Sequence, residues 1–183
     1  MPIDITYDSK RIFLLLNDLY YWKGEPGHIW MSTHIIPKIK VGIDDFGVNE
    51  AGEIRFVRLP EIGSEVKQGK VFGTLEAGKY VGPLKSPISG KVVAINEQIK
   101  ETPSLLNEDC YDEGWLLKIE PSNFEEEIKN SNLISGEDAL EEWMKGEFEK
   151  YEVAATAAVR VVNRTEYGAW KVIAREERRR KTT

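Results

Sequence analysis

The chain has 183 residues, 41% of them hydrophobic, which is enough for one sizeable core and excludes disorder as the default state. A formal charge of −6 and an isoelectric point near 5.2 argue against a general nucleic-acid binder, which needs lysine and arginine clustered over a face. Its single cysteine, Cys110, rules out an internal disulfide and makes the cytoplasm the simplest location.

The first apolar run, `IFLLLNDLYYW` at residues 12–22, is broken by Asn17 and Asp18. It is too short to span a bilayer and lacks a small-residue cleavage site, so it reads as neither membrane anchor nor signal peptide. Residues 1–17 are an N-terminal extension. From residue 40 to 121, short β-branched runs alternate with Gly, Pro, Asn and Asp: `KIKVGI`, `EIRFVRLP`, `GSEVKQGKVFGTLE`, `GPLKSPISGKVVAIN`, `GWLLKIEP`. That rhythm predicts a mainly β domain over residues 18–134, a small antiparallel sandwich or barrel. Within it, `LPEIGSEVKQGKVFGTLEA` and `LKSPISGKVVAINEQI` read as two versions of one unit meeting at Lys79.

Two helical segments follow from spacing. `TPSLLNED` places Pro103 at a first helical position behind a Thr102 cap. The run from Ser135 reads as one longer helix, capped by Ser135, with Glu137 and Asp138 in its first turn and Leu140, Trp143, Met144 and Phe148 on one apolar face. Residues 135–183 thus form a C-terminal helix and a basic tail, `REERRRKTT`. The ordinary reading of that tail is a frayed, solvated end; the sharper one is a docking element for an acidic partner.

The stretch `FGTLEAGKYVGPLKSP`, residues 72–87, puts one lysine where the chain must reverse. Glu76 stands three residues before Lys79, Gly78 makes the turn, and Gly82 and Pro83 end it. At pH 7 roughly one lysine amine in a thousand is neutral, and nothing in this hairpin would activate it as a nucleophile. Glu76 favours the charged form. Lys79 therefore reads as a modification target held out on a rigid turn.

From about residue 18 to residue 143 the chain resembles the H protein of the glycine cleavage system, related to the lipoyl domains of 2-oxo acid dehydrogenase complexes. The matching stretches are `VGIDDFG`, `GEIRFVRLPEIGSEVKQGKVFGTLEAGK`, `SPISGKVVAIN`, `TPSLLNED` and `YDEGWLLKI`, in the family's order. `EAGKY` occupies the place of the family's Glu-Ser-Val-Lys-Ala. The resemblance implies a barrel-sandwich hybrid fold, lipoic acid amide-linked to Lys79, and Glu76 as the acidic residue recognised during lipoylation. It also implies a swinging arm on a carrier without its own catalytic site. The implied partners are a lipoate ligase or lipoyl transferase, with glycine decarboxylase, aminomethyltransferase and dihydrolipoamide dehydrogenase.

The sequence departs from the family pattern where the loaded arm is sheltered. In `GHIWM`, His28 and Trp30 match the family's His-Glu-Trp-Val, but the glutamate is Ile29 and the preceding serine is Gly27; Pro83 stands where an aspartate is usual. His28, Ile29, Trp30 and Pro83 are the expected arm-resting surface. Isoleucine and proline cannot pair with a cationic aminomethyl amine. A second reading is therefore open: a lipoate-binding protein carrying sulfur intermediates beside a heterodisulfide-reductase-like complex. A third is an unlipoylated interaction module. The expected state is a monomer with no nucleic-acid or membrane partner.

Other features carry less. Cys110 stands where the family has proline, and a lone cysteine beside a helix end is ordinarily inert. His28 and His34 have poor spacing for zinc. `NEDCYDEG` lacks the alternating aspartates of a calcium loop. No phosphate-binding or nucleophile-elbow pattern occurs in the sequence.

Overall fold

A computed structural model describes residues 12–78, 80–153 and 157–182, the side chains of 177, 178, 181 and 182 excepted. In chain order the elements are β1 (Ile12–Leu16), β2 (Tyr20–Trp22), β3 (Ile29–Ser32), β4 (Ile39–Ile43), α1 (Asp45–Ala51), β5 (Ile54–Arg58), β6 (Glu65–Val66), β7 (Val71–Ala77) and β8 (Tyr80–Lys85). There follow β9 (Gly90–Ile95), α2 (Glu97–Glu101), α3 (Leu105–Glu108), β10 (Leu117–Pro121), α4 (Phe124–Glu127), β11 (Leu133–Ile134), α5 (Glu137–Lys150), β12 (Ala158–Val162) and α6 (Arg164–Thr182). They form two compact units: one runs from Leu19 to Ser135, the other combines the residues on either side of it.

The Leu19–Ser135 unit is the expected β-rich fold with short helices. A seven-stranded antiparallel sheet has the order β11-β2-β3-β4-β10-β9-β6, and β5-β7-β8 form a second antiparallel sheet. Period-2 alternation explains much of it: Ile39, Val41 and Ile43 are buried along β4 while Lys40 between them is half-buried. In β3 all four residues are buried, so both faces are covered. Of the two similar sequence stretches, the first supplies β6 and β7 and the second β9 and the end of β8; they meet as the pairs β6–β9 and β7–β8.

In the other unit, β1 pairs in parallel with β12, and Phe13 meets Phe148 of α5 with ring centroids 5.6 Å apart. Arg164 at the start of α6 is ion-paired to Asp18 at 2.6 Å. Asn163 caps α6: the Glu166 N–H donates to Asn163 Oδ1 at 2.9 Å, and the Glu166 carboxylate holds the cap by accepting from Asn163 Nδ2 at 3.1 Å.

Three expectations are corrected here. Thr102 does not start a helix; it closes α2, its N–H donating to the Gln98 carbonyl at 2.8 Å. The start lies at Asn96, whose side chain accepts from the Gln98 N–H, and α3 begins only at Leu105. The run from Ser135 is not one helix: α5 begins after Gly136, at φ 90°, without a Ser135 side-chain cap, and ends at Lys150. Strand-forming `AVRVV` then pairs with β1. The basic segment is not a frayed tail, because α6 runs through it to Thr182.

Candidate functional site

The hairpin of β7 and β8 is in register as a tight reversal: Ala77 pairs with Tyr80, Glu76 with Val81, Leu75 with Gly82 and Thr74 with Pro83. Residues 78 and 79 join the strands. Gly78 is an exposed turn residue, and Lys79 lies outside the described residues. On the other side β7 is braced by β5, with Ile54 opposite Ala77 and Phe56 opposite Glu76. A bulge at Arg55 re-phases β5, so Ile54 and Val57 are both buried although three residues apart.

The face bearing Ile54, Val57, Leu75 and Ala77 points into the core. The opposite face is open, with Phe56 and Val81, 49% and 71% exposed, flanking the exposed Glu76. Gly82 and Pro83 do not end the turn, as expected from sequence; both lie inside β8. As an edge strand, β8 tolerates a proline that cannot donate on its open side. Gly82 is covered by the ring of Tyr80, which occupies the space where its Cβ would stand.

Asn107 anchors the brace. Its Oδ1 accepts from the Ile54 N–H at 2.9 Å and its Nδ2 donates to the Gly52 carbonyl at 2.8 Å, fixing the first residue of β5 and, through it, the end of β7. Sequence reasoning matched `TPSLLNED` as a motif without finding this role. The signal lay in the asparagine, whose amide can bond two backbone groups at once.

His28, Ile29 and Trp30 do not form a surface. They are 4%, 2% and 0% exposed, which corrects their expected place on an exposed surface; Pro83, the fourth of those positions, is an exposed residue of β8. Burial follows from their partners. His28, at φ 66°, places Nδ1 2.9 and 3.1 Å from the two oxygens of Asp44, which also accepts from the Gly47 N–H at 2.8 Å and so caps α1. Trp30 lies over Gly42, and its Nε1 donates to the Ile43 and Cys110 carbonyls. The two matched motifs `GHIWM` and `VGID` are thus clamped together by side chains, a structural role for both.

The remaining candidates resolve into structure. Cys110 is buried, and burial first, then Asp45, Asp44 and Asp109, raise its thiol well above the ordinary range; burial likewise raises the neighbouring Tyr111 hydroxyl. His34 is exposed in the β3–β4 loop. Asp109 turns `NEDCYDEG` inward by accepting from the N–H groups of Asp112 and Glu113 at 3.3 and 3.2 Å. Among the described residues no group of three or more His, Cys, Asp or Glu side chains could hold a metal ion, and no helix is long and apolar enough to cross a membrane.

A small β fold that braces one hairpin through a neighbouring strand, with short helices closing its core, belongs to the class of H-protein-type folds. A family model for the glycine cleavage H-protein matches residues 19–147. A glycine cleavage system H protein 2 from Aquifex aeolicus is 37% identical over 134 residues, covering 73% of this chain and 81% of that relative. One from Oceanobacillus iheyensis is 42% identical over 123 residues, covering 67% and 92%. The crystal structure of a glycine cleavage system H protein from Mycobacterium marinum superposes with a TM-score of 0.60 at 26% identity, covering 73% of this chain and 98% of that one. The chain belongs to the glycine cleavage H-protein family.

Proposed function

We infer that the chain is a lipoyl carrier of glycine cleavage, with Lys79 as the attachment site. The observation that carries this reading is the pairing of Ala77 with Tyr80, which leaves residues 78 and 79 as the only link between two anchored strands. The hairpin end fits an attached group, since Gly78 is exposed and a Cβ there would meet, among the described residues beyond its chain neighbours, no atom within 4 Å. An amide at Lys79 removes one positive charge, taking the formal charge from −6 to −7. Glu76, exposed three residues earlier, is the acidic mark for a lipoate ligase or lipoyl transferase.

When bound, the lipoyl group supplies a disulfide that opens by thiol exchange. The chain's own residues hold its attachment point: β5 and Asn107 fix the hairpin, and tethering raises the arm's effective concentration at any docked enzyme. The partners in this reading are glycine decarboxylase, aminomethyltransferase and dihydrolipoamide dehydrogenase. The carrier has no catalytic site of its own and works as a cytoplasmic monomer. Residues 18–134 are the carrier domain, and residues 1–17 and 135–183 are additions to it.

A second reading, sulfur intermediates delivered to a heterodisulfide-reductase-like complex, is favoured by one observation. Pro83 is exposed opposite Thr74, and Ile29 is buried in β3, so neither position offers a carboxylate to a cationic amine. Intact mass of protein from its own source tests the carrier: a lipoyl adduct lost in Lys79→Arg is expected, and an unmodified mass under lipoate-sufficient conditions sinks it. Incubating the lipoylated chain with glycine and glycine decarboxylase separates the cargoes, because efficient aminomethyl loading defeats the sulfur reading.

A further inference from the structure

We propose that the Tyr80 ring is the plate on which an acyl arm at Lys79 rests; this rests on the lipoyl-carrier reading above. A long acyl chain exposes apolar area to water and settles on apolar surface within reach. The positions expected to receive it, His28, Ile29 and Trp30, are closed by burial. On the open face of the hairpin the Glu76 carboxylate sits in register between Phe56 and Val81, which keeps water in that row. Tyr80 is the residue after Lys79, 41% exposed, and lies on the other face of the hairpin from Glu76.

The ring's posture is the second observation. Side chains on strands stand roughly perpendicular to the sheet and lean along the strand. Tyr80 reclines along β8 far enough that its Oη, Cζ and Cε1 atoms fill the space beside Gly82 where any other residue would carry a Cβ. Glycine inside a strand has nothing to pack and weakens it, so this position breaks a local rule and gains a flat aromatic face beside the hairpin end. The two residues are one device. Tyr80 is also a departure from the family's hairpin motif, where alanine follows the lysine.

Alkyl chains and sulfur both favour aromatic surfaces, and a sulfur–aromatic contact corresponds to about a two- to tenfold shift in population. Tyr80 is therefore a positioning residue for the arm. A ring that only covers a strand glycine would alter stability and leave the arm untouched.

The test uses the full chain, lipoylated at Lys79 as verified by intact mass, together with Tyr80→Ala, Tyr80→Phe and Gly82→Ala. The readouts are the rate at which dithiothreitol opens the arm's disulfide and the NMR positions of the Tyr80 ring before and after lipoylation. The ring signals are expected to move on lipoylation. Tyr80→Ala and Gly82→Ala should open about two- to tenfold faster, with Tyr80→Phe near wild type. A lipoylated chain whose ring signals stay fixed and whose Tyr80→Ala variant opens at the wild-type rate overturns this proposal alone. A chain that takes no lipoyl group at Lys79 overturns the carrier reading, and this one with it.

Discussion

The indole of Trp30 occupies the space where Gly42 would carry a Cβ, and its Nε1 is held by two carbonyls, those of Ile43 and Cys110, each at 3.1 Å. The ring is completely buried, so it has nowhere to retreat. Gly42→Ala is expected to cost about 1–3 kcal/mol as an overpacking change. Urea denaturation checks it; a loss below about 0.5 kcal/mol, within the range of ordinary surface changes, would mean the indole can move.

Gly82 gives the contrast. Its obstructing neighbour, Tyr80, is 41% exposed and can swing into solvent. Gly82→Ala should therefore change stability by no more than about 0.5 kcal/mol while displacing the ring, seen as a shift of the Tyr80 NMR signals. A loss as large as that at Gly42 would contradict this.

Asp44 serves His28 and the α1 N-terminus together. Asp44→Ala removes both and should cost about 2–4 kcal/mol; Asp44→Asn keeps a capping side chain and should cost less. The order of the two denaturation midpoints decides whether the cap matters.

Asn107→Ala frees the Ile54 N–H and the Gly52 carbonyl, so a loss of about 1–2 kcal/mol is expected. Hydrogen exchange should quicken in β5 and at the β7 end paired with it. Unchanged exchange there would show that the hairpin is held without this brace.

Burial raises the Cys110 thiol and the Tyr111 hydroxyl in the folded chain. In the unfolded chain they release protons from about pH 9 and 10, their ordinary values, while the folded chain retains them. The unfolded state then binds fewer protons, so stability present below pH 9 falls as pH rises toward the raised folded values. Cys110→Ala should flatten the first part of that decline in denaturation midpoints measured across alkaline pH. At neutral pH the native thiol should resist alkylating reagents until the chain unfolds.

The strand rhythm of residues 40–121 made the β fold legible, because half-buried strands write their period into the side chains. Cap signals were less secure. Thr102 reads as a start, and the bond from Gln98 to Asn96 places the cap six residues earlier. The C-terminal segment departs from its helical pattern after Lys150 because residues 158–162 find a parallel partner in Ile12–Leu16, more than 140 positions away, of which the local sequence carries no sign. Pro83 and Gly82 read as stops because a strand's tolerance of them depends on its place in the sheet.

By itself the sequence determined the family, the β character of the domain and the hairpin around `EAGK`, since motifs in fixed order and alternating side chains are local properties of the chain. The tertiary structure decided what surrounds that hairpin. Whether Trp30 is a surface or a clamp, whether Asn107 is a motif residue or a brace, and whether Tyr80 stands or reclines all depend on atoms brought together from distant or alternate positions. Burial and hydrogen bonding between such positions exist only once the chain has folded.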